Sequence, residues 1–496
     1  MITPIDRMRL PAMLIPPAIA LSLVLVAAGT GFVPLAPLLG VAVLSALWVA
    51  PMERSAIVFL FVALLVDNPG ERPMADKWSS PLLPPGELLY LNLHKITGIG
   101  ALRFSLLEVA IAVLLLCVLY RKGQRDPIDD PRALGALPNP VRLAFAVFFG
   151  AILALELYGL GRGGDFKNSL WQVRQLFWLP VLGVVFGHAF KSIGARVWLL
   201  RIVVTVAVVR GCLGLFYYVS VARPSGIRPE YVTTHSDSVL TVVAILVAAM
   251  ALIARPSWGH LALNALAQPL LVVSLILNDR RIAFVSLGGG AFAMLLLAPP
   301  ELKRAVRRLV LLSIPLVLVY AAVGWNSNAA VFRPVGIVKS VVEQDDASSQ
   351  TRDIENFNLI RTLAMHPIVG SGFGHEYREV VMANRVDQIF AQYRFIAHNS
   401  VLWLISLGGW FGFAAVWLVF PVAVLIALRA FNESSEPIDR TVAFGAIACI
   451  LAFIIQAWGD MGLQSWMGTL LVAAFMGATG ALWTARERDA AEAVAC

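Results

Sequence analysis

His398 stands where a long polar stretch meets an apolar run, in RFIAHNSVLWLISLGGWFG. An imidazole titrates near neutrality, so at a membrane–water boundary it can take the proton of a hydroxyl group. The alternative for such a histidine is a residue at the start of a helix, bonded to backbone. Arg280 and Arg281 make up nearly the whole turn between two apolar runs in LILNDRRIAFVSL. A pair of guanidinium groups there either grips a phosphate, which it fits bidentately, or snorkels to lipid headgroups. Asp460, in QAWGDMGLQS, can orient a base, bind a hydroxyl or cap the next helix. The glycines of GxGxG, Gly370, Gly372 and Gly374, have the spacing of a phosphate-cradling loop. They lack a preceding strand and a following Lys-Ser/Thr, so no nucleotide site is expected. His375 and Glu376 are unspecific candidates, and His366 before Pro367 reads as structural. There is no HExxH, no DxD and no Ser-His-Asp order, which disfavours metal-dependent hydrolysis and nucleotide-sugar chemistry.

The elements that must hold these residues are membrane helices. Hydrophobic residues are 59% of the 496, charged residues only 14%, and the mean hydropathy is +0.77. A soluble domain is roughly 45–50% apolar and about 25% charged. The apolar runs recur from end to end, and most are long enough to cross a hydrocarbon core of about 30 Å. They define about fourteen spans, near 12–28, 33–50, 55–67, 104–120, 141–159, 173–190, 196–221, 237–254, 261–278, 282–299, 308–324, 400–428, 441–458 and 464–483. The first run lacks a small-residue cleavage site and reads as an uncleaved span. The Lys/Arg-rich segments MITPIDRMR, RKGQRDPIDDPRALGALPNPVR, KSIGAR, ELKRAVRR, RAFNESSEPIDR and TARERD fall on one side by parity. The positive-inside rule makes that side, with both termini, cytoplasmic.

The net charge of +8 is then loop charge, and nucleic acid is not an expected partner. The four cysteines are isolated, so neither a zinc site nor a disulfide framework is expected. Arg210, inside a span, needs a partner or a cavity, unless it reaches a bend at Gly211–Gly214. Arg162, Arg174, Arg223 and Arg228 face outward and read as solvated or lipid-facing charges.

Three regions follow: a bundle over 1–324, an outward loop over 325–399 and terminal helices over 400–496. Ile354, Phe357, Ile360 and Leu363 recur at helical spacing in the loop, predicting an amphipathic helix after Ser348 and Ser349 that ends at Pro367. A second is predicted from Glu376 to Arg394, with Val380, Val381, Ile389 and Phe390 on its apolar side and Arg378, Arg385 and Arg394 off it. Both are expected to lie across the outer mouth of the bundle.

Taken together, these pieces resemble the O-antigen ligase/polymerase superfamily of bacterial membrane glycosyltransferases. The resemblance covers roughly 270–430. It rests on Arg281 at the start of a span, Arg352 at the head of an amphipathic helix, Pro367–Gly370–Gly372 after that helix, and His398, Asn399, Leu402, Gly409 and Gly412. The sequence departs from the pattern at Leu407, where an acidic residue is common, and at Arg280, where Ser is common.

The resemblance implies transfer of a glycan from an undecaprenyl-diphosphate carrier to an acceptor hydroxyl on the periplasmic face of the inner membrane. It implies inversion by single displacement, with neither metal nor cofactor. Arg281 and Arg352 would stabilise the diphosphate with help from Arg280, His398 would activate the acceptor, and Asn399 would orient it. Gly370, Gly372, Arg378 and Arg174 are further candidates for substrate binding.

The acceptor distinguishes a polymerase, toward which the span count and loop size lean, from a ligase serving lipid A-core or protein. Flippase and chain-length regulator proteins are the partners such a polymerase would have, besides membrane lipids. A transporter or lipid-linked glycan flippase is the reading from another class. It predicts charges spread through mid-span cavities, whereas here they gather at one face apart from Arg210. The absence of an internal repeat also weakens it.

Overall fold

A computed structural model describes residues 15–16, 18–20, 22–23, 35–71, 79–100, 102–124, 137–226, 231–278, 280–298, 300–327, 332, 335–336, 339, 347–382 and 392–495. Among them there is helix and no strand. In chain order the helices are α1 Leu35–Val49, α2 Met52–Leu65, α3 Leu83–Tyr90, α4 Leu93–Thr97, α5 Leu106–Gln124, α6 Asn139–Gly161, α7 Phe166–Ala189 and α8 Ile193–Tyr217. They continue with α9 His235–Ala254, α10 Trp258–Asn278, α11 Arg281–Leu297, α12 Pro300–Gly324, α13 Ala347–Met365, α14 Ser400–Trp417, α15 Val419–Glu433, α16 Pro437–Gly459 and α17 Trp466–Ala495.

Eight of the described helical segments are long and apolar enough to cross a membrane, the continuous stretch Ser400–Glu433 counting as one. The protein is an all-α membrane protein. These eight fall on eight of the expected spans. Four more expected spans coincide with shorter apolar helices at Gly40–Val49, Leu106–Tyr120, Arg281–Leu297 and Ile314–Gly324. At 1.5 Å per residue α11 is roughly 26 Å long, just short of the hydrocarbon thickness. The expected span at 55–67 falls on α2, of 14 residues, and the one at 12–28 lies largely outside the described residues.

The chain divides into two compact units. The first comprises 1–138, 181–202 and 476–496; Phe59, Leu60, Leu64, Phe186 and Phe190 are buried in it. The second comprises 139–180 and 203–475. Its centre is α9 against α16, with α10, α11 and α15 packed around them. Both central helices are apolar on every face, as suits helices enclosed by others. Arg210, the charge inside α8, has its partner here: Asp237 on α9, through Nε to Oδ1 and Nη2 to Oδ2 at 3.2 Å. Asp237 also closes a capping box with Thr234 at the start of α9.

Helix α14 is broken, and the break shapes the region around His398. Gly409 takes φ 62° and ψ −175° inside it. The backbone groups this frees are met by the glycine-rich loop: Trp410 N donates to Pro367 O (2.9 Å), Phe411 N to Ile368 O (3.0 Å), and Gly372 N to Leu407 O (2.8 Å). Irregular backbone in a membrane protein persists where such partners are supplied. Gly370 and Gly372 have φ of 74° and 83°. A Cβ at Gly370 would lie 2.1 Å from Leu407 O, and one at Gly372 2.4 Å from Gly159 Cα. These glycines form a backbone-to-backbone seam. We expect Gly372→Ala to cost about 1–3 kcal/mol through left-handed strain and overpacking. A lowered unfolding temperature of the detergent-purified protein would register it; an unchanged one would contradict the seam.

Gln172 of α7 fastens the same loop. Its Oε1 accepts from Gly374 N (2.6 Å), and its Nε2 donates to His375 O (3.2 Å) and Phe395 O (2.8 Å). Trp403 Nε1 also donates to Phe395 O (2.6 Å), and its ring stacks on buried Phe373.

The second expected amphipathic helix is not formed by its described residues. Glu376–Met382 is non-helical and Gln392–Phe395 is turn; Arg385, Ile389 and Phe390 lie outside the described residues. Side chains of α13 claim the backbone a helix would need. Asn358 Oδ1 accepts from Val380 N (2.9 Å) and Val381 N (3.0 Å), and Thr362 Oγ1 accepts from Arg378 N (2.8 Å). Arg394 bridges to Glu379 at 2.6 Å, and Tyr377 N donates to Arg394 O (2.9 Å).

The first expected helix exists as α13. Glu355, Asn358 and Thr362 are buried, whereas Phe357 and Ile360 are exposed. It runs beside α14.

Candidate active site

The residues around His398 come from the ends of several helices in the second unit. His398 precedes α14, and Asn399 caps it by accepting Leu402 N on Oδ1 at 3.0 Å. Asn399 is therefore committed to the helix start, and it is buried. His398 Nδ1 meets Glu355 Oε2 at 2.8 Å. The carboxylate is 1% exposed and the imidazole 27%. This pairing fixes Nδ1 as the protonated nitrogen when the ring is neutral. Nε2 forms no hydrogen bond among the described residues and can accept a proton.

Burial disfavours the imidazolium. The hydrogen bond and charge of Glu355, with the charge of Asp460, outweigh both burial and nearby Arg352, so the His398 pKa is raised. If His398 serves as a base, it acts in its neutral form, and a reaction that depends on it should rise with pH through a midpoint above the ordinary 6.5. Glu355→Gln removes the charge that holds the proton. The rising limb of the rate profile should then move to lower pH, with a smaller plateau because the base is weaker and less firmly oriented. A limb that stays in place would contradict the pairing.

A second histidine–carboxylate pair lies beside the first. His235, the first residue of α9, bonds through Nδ1 to Asp460, the residue after α16. Burial favours the protonated acid, but the charge and hydrogen bond of His235, the Met461 amide at 2.9 Å and His398 outweigh it. Asp460 is held well below the usual carboxylate range. Ser400 Oγ joins the pairs by donating to Asp460 O (3.2 Å) and Gln464 Oε1 (3.0 Å). His235 packs edge-on against Tyr231 at 5.4 Å, and the Arg280 guanidinium lies over the Tyr231 ring at 4.1 Å. Asn278 holds this segment. Its Oδ1 accepts from Thr233 N (3.0 Å) and its Nδ2 donates to Thr234 O (3.1 Å) and Ser238 Oγ (2.8 Å).

Arg281 opens α11 and donates to Ser349 Oγ of α13 at 3.3 Å. Arg352, one turn before Glu355, is close enough for its charge to act on His398. Its Nε is buried and has no hydrogen-bond partner among the described residues, and the same holds for Glu355 Oε1, Tyr377 Oη and Gln464 Nε2. Buried groups of this kind are normally satisfied, so this neighbourhood suits a polar ligand or water. The Tyr377 hydroxyl stays protonated, since burial and the charge of Glu355 both push its pKa up. The N-termini of α9, α11 and α14 all open here, and their dipoles favour negative charge. Among the described residues no three His, Cys, Asp or Glu side chains converge as metal ligands.

His398, Arg280, Arg281, Arg352 and Asp460 thus belong to one network. Gly370 and Gly372 face backbone instead. Arg378 is exposed, with Nη1 against Met365 Sδ at 3.2 Å, and Arg174 is half-buried on α7, two residues after Gln172. His375 Nε2 meets Gly159 O at 3.1 Å, and Arg228 lies outside the described residues. Sequence reasoning missed Glu355, His235 and Tyr231. Glu355 had a signal, being three residues from Arg352 and hence on its helix face; His235 had only its place at the start of an apolar run.

No protein-family model matches the chain, and no curated protein is significantly similar to it.

Proposed function

We propose that the protein is a membrane glycosyltransferase that moves a glycan from an undecaprenyl-diphosphate carrier to an acceptor hydroxyl. The observation that carries this reading is the His398–Glu355 pair, with an open Nε2, beside Arg352 and Arg281. A lipid diphosphate is already a good leaving group, so the reaction asks for a base at the acceptor and cations at the departing phosphates. His398 Nε2 takes the acceptor proton as the hydroxyl oxygen bonds to the anomeric carbon. The bond from that carbon to the diphosphate oxygen breaks, and the electron pair leaves with the diphosphate. Arg281 and Arg352 receive that charge, and Arg280, held over Tyr231, adds to the field. Glu355 keeps the ring oriented and stabilises the imidazolium. Single displacement inverts the anomeric carbon.

In this proposal about fourteen segments cross the inner membrane of a bacterium, the shorter helices such as α2 and α11 being accommodated by local thinning of the bilayer. Both termini are cytoplasmic and the site opens to the periplasm. The gathering of Lys/Arg in one set of loops supports that orientation. The partners are the carrier-linked glycan and a growing glycan as acceptor, which makes the enzyme a polysaccharide polymerase. The resemblance over 270–430 supports the donor class. No specific feature around His398 favours the ligase alternative.

A deletion strain complemented with the wild-type gene tests the reading through its glycan size profile. Single repeat units in the deletion, lengthened on complementation, support a polymerase. Long chains stranded on the carrier in the deletion would make the protein a ligase. A profile untouched by the deletion would sink both and revive a transporter.

A further inference from the structure

Helix α13 buries three polar side chains together with Leu359, leaves Ile354 and Leu363 half-buried, and exposes two large apolar ones beside Asp353 and Arg361. Glu355, Asn358 and Thr362 are buried, whereas Phe357 is 38% exposed and Ile360 53%. Two contacts show how the helix runs. Glu355 meets His398 just before α14, and Pro367 O meets Trp410 N within it. The contacts are twelve residues apart on both segments, so α13 runs parallel to α14, side by side, over about 18 Å. At the far end Ile368 (71% exposed) and Val369 (39%) stand next to Trp410 (58%) and Phe411 (74%). The Phe411 N to Ile368 O bond, at 3.0 Å, joins the two exposed groups. Trp410 and Phe411 belong to a segment long and apolar enough to cross a membrane, so the outward face of α13 continues a membrane-crossing surface.

Two basic side chains border the exposed apolar residues. Arg361 folds over Phe357 at 5.0 Å and Arg378 lies on Met365 Sδ. Both are exposed at the edge of the apolar face, where long basic side chains reach lipid phosphates. The exposed acid of α13, Asp353, is on the same face, one turn before Phe357. An apolar surface of this extent open to water is unusual.

We propose that the outward face of α13 and the turn after it are seated in bilayer lipid beside α14. Helix α13 is then a wall one helix thick, with hydrocarbon on one side and the polar network of Arg352 and Glu355 on the other. This placement holds whatever reaction the site performs.

The test uses the full chain with Cys117, Cys212, Cys449 and Cys496 replaced by alanine and a single cysteine at Ile360, Ile368, Phe411 or Glu376. Each carries an environment-sensitive nitrobenzoxadiazole label in vesicles of phosphatidylethanolamine and phosphatidylglycerol. Bromine on the lipid acyl chains should reduce emission at 360 and 368 as much as at 411, with aqueous iodide acting only at 376. Two positions are read separately, so failure of one variant to fold leaves the other decisive. Quenching at 360 and 368 by iodide but not bromine would place the face in water and overturn the proposal. Quenching by neither would mean that protein, such as a second copy of the chain, covers the face, and would overturn it equally.

Discussion

On the proposed function, His398→Ala is expected to lower glycan transfer about 10²–10⁴-fold per folded molecule, the range for loss of a general base. Alanine also strips Glu355 of its partner, and a carboxylate 1% exposed tolerates that poorly. The informative companion is His398→Gln, whose amide can still donate to Glu355 but cannot take a proton at working pH. If His398 is the base, both variants lose activity to a similar degree while Gln retains the unfolding temperature better. Restored transfer in His398→Gln would reduce the histidine to a structural residue. Arg281→Lys is no substitute for these tests, because it changes geometry and hydrogen-bond count together.

The largest effect on stability is expected at Arg210 and Asp237. Both side chains are nearly inaccessible, 6% and 5% exposed, and they face each other with two nitrogen–oxygen contacts. Breaking a buried ion pair by removing one partner typically costs about 3–5 kcal/mol, whereas replacing both with apolar residues is often close to neutral. Asp237→Asn should therefore lower the unfolding temperature sharply, and Arg210→Met with Asp237→Leu should recover much of it. Asp237 has a second duty, accepting Thr234 N at 2.8 Å at the head of α9, one residue before His235. Activity should accordingly recover less than stability in the double variant. An Asp237→Asn protein as stable as wild type would contradict this account of Arg210.

Much of the helical layout was legible because apolar length alone specifies a membrane helix, and the long runs of the second unit fall on helices within a few residues. The gathering of His398, Arg280, Arg281, Arg352 and Asp460 was legible for a related reason: each is a charge at the end of an apolar run or in the loop beside one, on the same side by parity. The orientation of α13 was not. Its periodicity marked Ile354, Phe357, Ile360 and Leu363 as one stripe but not which way that stripe turns. In a membrane protein, however, an apolar face can turn outward, and the inner face goes to Glu355, Asn358 and Thr362. The segment after Gly374 read as helix because the side chains that claim its backbone, Asn358 and Thr362, lie on a different element. Gly370 and Gly372 had the spacing of an anion loop, but their role depends on Leu407 and Gly159, remote in sequence. Asp237, the partner of Arg210, is 27 residues away, a separation no local pattern reveals.

The central claim is the transfer itself. Purified protein in proteoliposomes, given an undecaprenyl-diphosphate-linked oligosaccharide as donor and acceptor, should release undecaprenyl diphosphate and lengthen the glycan in equal amounts. His398→Gln should abolish both together. A parallel reaction offered lipid A-core separates a ligase from a polymerase. Intact donor after incubation with folded protein and either acceptor, or unaltered donor carried across the bilayer, would contradict the account.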